Sequence, residues 1–160
     1  MGISKEVYET TGGFKFDRFA EDIELSIRIR KAGFVSVLIP DAFVYHKRRS
    51  SLKQFFWQVY NFGRGRVQVG RAHPGEVKIS HWFPLIFLAG ILAIPFVAFF
   101  NQELGLFMSW LYILYLLFIA MDAFIKSRSI LIAFLSIPAA LVQLIGYALG
   151  FLKEMFSGRS

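Results

Sequence analysis

Cysteine is absent from the 160 residues, which excludes disulfides and thiolate metal centres. Acidic residues are scarce, and the second half holds only Glu103, Asp122 and Glu154. No Asp-x-Asp occurs anywhere. The start, MGISKEVYETTGG, lacks the apolar core of a secretory signal. It fits the myristoylation pattern at Gly2 but carries Glu6 where Ser or Thr is required. Of the few prolines, Pro84, Pro95 and Pro138 fall in apolar runs, where they mark a span start and two kinks.

What is abundant is apolar and basic. Apolar residues make up 56% of the chain, and its mean hydropathy is +0.52. The polarity is uneven, with 14 of the 18 Lys and Arg and 8 of the 11 Asp and Glu in residues 1–81. That division describes a polar module followed by a membrane module. Three runs follow Ser80: HWFPLIFLAGILAIPFVAFF, LGLFMSWLYILYLLFIAMDAFI and ILIAFLSIPAALVQLIGYALGFL. Each approaches the ~20 residues that cross a hydrocarbon core. None shows a polar face at helical period, which argues against buried helices of a soluble bundle.

The connectors orient the spans. NQE (101–103) is negative and KSRS (126–129) positive, so KSRS and residues 1–81 are expected in the cytosol. With three crossings the C-terminus falls outside, although Lys153 and Arg159 favour the inside. The implied location is a cytoplasmic (inner) membrane. Asp122 fits a headgroup-level position and Gln143 a helix–helix hydrogen bond, with a lipid or substrate path as the alternative for each.

In the polar module, ETTGGF (9–14) is a loop whose Gly pair permits a turn or the close approach of a ligand. IELSIRIR (23–30) alternates as a strand would. Other features point to a helix: acids at its start, bases at its end, Glu24 and Arg28 four apart, and Gly33 as a stop. As a helix it carries two apolar stripes and two polar sectors, one headed by Glu24 and one by Asp22, and helix is the assignment made here. FVSVLIP (34–40) is expected as a strand, and DAFVYH (41–46) as a turn and a second short strand ending at His46. SSLKQFFWQVYNFGRGR (50–66) starts at a Ser cap, is expected to end at Gly63, and presents an aromatic face suited to the headgroup region. From Lys47 to Arg71 there are seven basic residues and no acidic one. Such a tract suits anionic lipid or a diphosphate, and a position beside a membrane helix makes nucleic acid an unsuitable partner.

The order GGF, AEDIELSIRIRKAGF, VLIPDAFVYH, QVYNFGRGR and three spans resembles the C-terminal half of a bacterial membrane-bound family 2 glycosyltransferase, a relative of cellulose and hyaluronan synthases. The resemblance implies a hexosyltransferase with Asp22 as the base that deprotonates the acceptor hydroxyl, Glu21 beside it, and inversion at the anomeric carbon. It implies that Gly12, Gly13 and Phe14 lie near acceptor and donor sugar. Gln58, Arg64 and Arg66 occupy the neighbourhood of the family's Q-x-x-R-W region, which binds the nucleotide diphosphate and acceptor, and His46 matches a position that helps bind the divalent cation, Mg or Mn. QVYNFGRGR lacks the Trp and the spacing of that region, which favours a non-processive enzyme.

The expected fold is therefore an α/β fragment, the C-terminal part of a GT-A domain (1–49). An amphipathic interface helix with a basic linker (50–81) follows. Three transmembrane helices (82–152, as 82–100, 104–125 and 130–152) and a tail (153–160) complete it. The expected partners are a nucleotide-sugar donor, a lipid-linked or polysaccharide acceptor, and membrane lipid. With the nucleotide-binding half and its metal motif not in the chain, it is expected to be inactive alone and to bind no cation by itself. The alternative is a non-catalytic membrane protein whose basic cytosolic cap binds lipid or a partner enzyme.

Overall fold

The computed structural model describes residues 2–45 and 50–157. Every regular element among them is helical: α1 (Lys5–Thr11), α2 (Glu21–Lys31), α3 (Leu52–Ala72), a 3-10 turn (Ile79–Trp82), α4 (Phe83–Phe100), α5 (Gln102–Ser127) and α6 (Ile130–Phe156). The α/β expectation is thereby corrected. Residues 34–45 form no strand, because a strand must exchange backbone hydrogen bonds with a neighbour and the described residues supply none. The apolar side chains of this segment, among them Val35, Leu38, Val44 and Tyr45, stand exposed. No GT-A layer is built from the described residues 2–45. His46 lies outside the described residues.

α2 is a helix for the reasons legible in its charges. Glu21, Asp22 and Glu24 occupy the first turn, and Arg28, Arg30 and Lys31 the last. It stops where Gly33 turns left-handed (φ 86°) and Phe34 N–H reaches back to the Ile29 carbonyl at 3.2 Å. Leu25, Ile27 and Ile29 are buried.

α3 begins at Ser51, whose hydroxyl accepts the Gln54 N–H at 3.3 Å, and runs through Gly63 and Gly65 to Ala72. The glycines do not end it because they are contact points. A Cβ on Gly63 would fall on the Tyr147 carbonyl of α6, and one on Gly150 of α6 would fall on the Tyr60 carbonyl of α3. Gly146 likewise lies under Val59 and Phe56. Gly146 and Gly150 form a small-x-x-x-small pair that lets two helix backbones approach closely.

α4 and α5 form an antiparallel hairpin about Asn101, which caps α5 by accepting the Leu104 N–H at 3.0 Å. Tyr112 donates to the Phe87 carbonyl at 3.0 Å, and Gly105 lies against Ala98. The segments Ile79–Phe100, Gln102–Ser127 and Ile130–Phe156 each contain an 18-residue window whose mean hydropathy is 2.5, 2.1 and 2.1, and they are long enough to cross a membrane. The chain is a membrane protein by this measure. α6 starts three residues after α5 ends, while Phe151 in its last turns meets Trp82 edge to face at 5.1 Å. The last turns of α6 therefore lie beside the start of α4.

Candidate functional site

Two buried ionic clusters frame the site. In the first, Glu24, 2% exposed, accepts the Arg28 Nε–H at 2.7 Å and lies 3.1 Å from His73 Nε2 at the end of α3. Arg28 also donates to the carbonyls of Thr11 and Gly13. The Arg28 hydrogen bonds hold the Glu24 carboxyl below its ordinary value; burial opposes the shift and the His73 contact adds to it. The Gly pair is thus the end of α1, with Gly12 at φ 76° as its left-handed cap, and Arg28 clamps it. Gly12, Gly13 and the exposed Phe14 do not line the clefts described below.

The second cluster joins α3 to α6. Glu154, 6% exposed, accepts from Arg64 Nε at 2.8 Å and Gln68 Nε2 at 3.0 Å, and Arg71 donates to its backbone carbonyl at 2.6 Å. Arg64 also lies 4.7 Å from the centre of the Phe19 ring. Its guanidinium is committed to Glu154, and it does not line either cleft.

Between the clusters, two adjoining clefts of about 680 and about 390 Å³ share Asp22, Ile23, Arg66 and His81. The larger also takes in Glu21, Gln58, Asn61 and Tyr147. Of the residues expected from sequence, Asp22, Glu21, Gln58 and Arg66 meet here. α2 delivers the carboxylates, entered through Ala20 in a left-handed conformation (φ 56°, ψ 24°), a costly state for a residue with a Cβ. Gly65 makes room for that turn, since a Cβ there would meet the Ala20 Cβ at 2.8 Å. Asp22 is exposed, and its Oδ1 accepts the Ile23 N–H at 2.8 Å. Among the described residues, no cation stands within ion-pair distance of it.

Several of the remaining polar groups can donate. Arg66 has no carboxylate partner among the described residues. Beside it, the Tyr147 hydroxyl is buried with no hydrogen-bond partner. His81 Nδ1 accepts the Lys78 N–H at 2.9 Å, so a neutral ring carries its proton on Nε2. Along the smaller cleft, Arg30 and Glu76 pair at 2.5 Å, and that pairing lowers the Glu76 carboxyl below its ordinary value.

His81, Tyr147, Asn61 and Arg18 were not singled out by the sequence. The only signal for Tyr147 was its place between the two glycines of GYALG, and the others had none. The cation implied by the resemblance does not fit these residues. Among the described ones no group of three His, Asp or Glu could hold a metal, and no step is derived through one. Comparison with protein-family models, with curated proteins and with solved structures gives no match for this chain.

Proposed function

We propose that the chain carries the acceptor side of a glycosyl transfer at the surface of a cytoplasmic membrane, with residues 1–81 in the cytosol. A hydroxyl entering the cleft gives its proton to Asp22 as its oxygen forms the new bond to the anomeric carbon. The sugar–phosphate bond breaks, and its electron pair leaves with the nucleoside diphosphate. A sugar hydroxyl is a poor nucleophile near neutral pH, and an open carboxylate within reach is what it requires. The observation that carries this proposal is the meeting of Asp22 and Glu21 from α2 with Gln58 and Arg66 from α3 in one cleft beside the start of α4. On this proposal another polypeptide segment or partner presents the donor, so the test uses membranes of the source cells. Labelled sugar incorporated from nucleotide sugars into lipid or polymer is compared between the wild type and a chromosomal Asp22→Asn allele. Incorporation should fall ~10²- to 10⁴-fold; a rate within about twofold of wild type overturns the proposal.

A second function, a non-catalytic cap that binds lipid or a partner enzyme, draws support from the structural employment of Arg28, Arg64 and Arg71. It leaves the uncovered carboxylates of the cleft without a use.

The arrangement of α6 also changes the expected topology. Glu154 pairs with Arg64 of α3, so the end of α6 shares a side with the basic module. We place the C-terminus in the cytosol, where Lys153 is favoured, so that α4 and α5 cross the membrane and α6 does not. A reporter fused after Ser157 should give the cytosolic signal, and a signal from the far side overturns this placement.

A further inference from the structure

The larger cleft is asymmetric. Glu21 and Asp22 come from α2, while Arg66, Gln58 and Asn61 of α3 and Tyr147 of α6 bring hydrogen-bond donors. His81, with Nδ1 already accepting from Lys78, presents Nε2 and belongs to the donor group. A buried hydroxyl without a partner is costly, and Tyr147 has one. Arg66 lies close enough to turn a guanidinium N–H toward that oxygen, but among the described residues neither group meets an anionic acceptor. The acceptor that suits a guanidinium and a phenol together is an oxyanion such as phosphate.

The position of the cleft supplies the second constraint. His81 sits in the turn that leads into α4, and Tyr147 belongs to α6, both within apolar segments long enough to cross a membrane. Beside His81, the side chains of Ile79, Phe83 and Ile86 are exposed, an apolar track on which acyl chains can lie. The ligand is therefore held at the level of lipid headgroups.

The carboxylate pair supplies the third. A phosphate oxygen is already an anion and needs no base, and it would be repelled by Glu21 and Asp22. A carboxylate base serves a hydroxyl. We propose that the acceptor is a phosphodiester lipid whose headgroup ends in polyol or sugar hydroxyls. Its phosphate rests on Arg66, Tyr147 and His81, and a headgroup hydroxyl rests on Asp22. This rests on the glycosyl-transfer proposal above and narrows its acceptor, setting aside both a simple lipid monophosphate and a free polysaccharide.

The test is equilibrium binding of a lipid probe to the full chain in phosphatidylcholine nanodiscs. Phosphatidylinositol is the probe, with phosphatidic acid and soluble inositol 1-phosphate as comparators. Phosphatidylinositol should bind saturably and more tightly than either comparator. Arg66→Gln should weaken it by about tenfold to a hundredfold, as loss of a charged hydrogen bond does. Tyr147→Phe, which removes only one oxygen, should weaken it by about threefold to tenfold. Lys126→Gln, on the exposed end of α5, should change nothing. Asp22→Asn should remove the preference for phosphatidylinositol over phosphatidic acid.

Equal binding of the two lipids, or an equal loss in Lys126→Gln and Arg66→Gln, overturns the proposal in favour of plain surface attraction. Inositol 1-phosphate binding as tightly as the lipid overturns it in favour of a soluble ligand. The two proposals fail separately. Selective lipid binding with Asp22→Asn incorporation unchanged sinks the transfer and keeps the site. Loss of incorporation without selective binding does the reverse.

Discussion

The α3–α6 seam and the cleft at the start of α2 are made of the same residue types, yet they are finished differently. In the seam, the Glu154 carboxylate is met by Arg64 and Gln68, and the glycines are filled by opposing backbone. In the cleft, Asp22 and Arg66 share a cavity without an ion pair between them, and a buried hydroxyl waits without a partner. Charge in the seam is spent on holding two helices together. Charge in the cleft is left for something that arrives. The contrast separates Arg64 from Arg66, two residues apart in GRGR, more sharply than any property of arginine itself.

The contrast can be broken first at the seam. Gly150→Leu puts a side chain onto the Tyr60 carbonyl, where only backbone can yield. It should undock α3 outright, seen as loss of amide-exchange protection along residues 56–71. Protection kept at the wild-type level would show that the seam is not a close contact.

Glu154→Ala comes next, because it strands Arg64 in a part-buried position. Removing one partner of a buried pair costs ~3–5 kcal/mol, to be read from unfolding in mixed micelles. A loss below about 1 kcal/mol would make the pair equivalent to a surface bridge.

The Glu24 cluster gives a pH test outside the membrane segments. Its folded carboxyl titrates below the ordinary 4.5, so its contribution is present above that value. It fades as pH falls through the lowered folded value. Wild type should exceed Glu24→Gln in stability near neutrality, and the gap should close on acidification. A gap independent of pH would mean that packing, not ionisation, makes the cluster stable.

At the cleft the expectation inverts. Asp22→Asn should leave stability within about 0.5–1 kcal/mol, the scale of a helix-terminus charge, although the transfer rate collapses. A larger stability loss would put Asp22 among the structural charges. Smallest of all, Gln143→Leu should change stability by less than about 0.5 kcal/mol, because Gln143 is exposed and makes no hydrogen bond among the described residues. A larger loss would restore the helix–helix hydrogen bond expected for it.

How much of this was legible in the sequence follows from the range of each signal. The α2 assignment rested on charges within one helix, and even its two polar sectors are found: Asp22, Ser26 and Arg30 line the smaller cleft, and Glu24 and Arg28 face the other way. The three apolar helices were legible because hydropathy is a local sum. The strands at 34–45 were not, since β-branched composition states a preference that only a neighbouring strand can satisfy. Gly63 was taken for a helix end because its use depends on Tyr147, far along the chain. Arg64 was assigned to phosphate for the same reason, its partner Glu154 lying 90 residues away. GYALG held the one overlooked local signal, a pair of glycines spaced to admit another helix.

That separation of 90 residues between Arg64 and Glu154 also has a meaning in time. At a synthesis rate of ~5–20 residues per second, α3 leaves the ribosome several seconds before the glycines of α6 exist. Throughout that interval its aromatic and basic face has no helix to lie on, and the bilayer surface is the only solvent that suits it. The seam is then the last contact the nascent chain can make. A ribosome that stops short of Gly146 releases a protein with its hairpin inserted, its α2 formed, and the wall of its cleft still adrift.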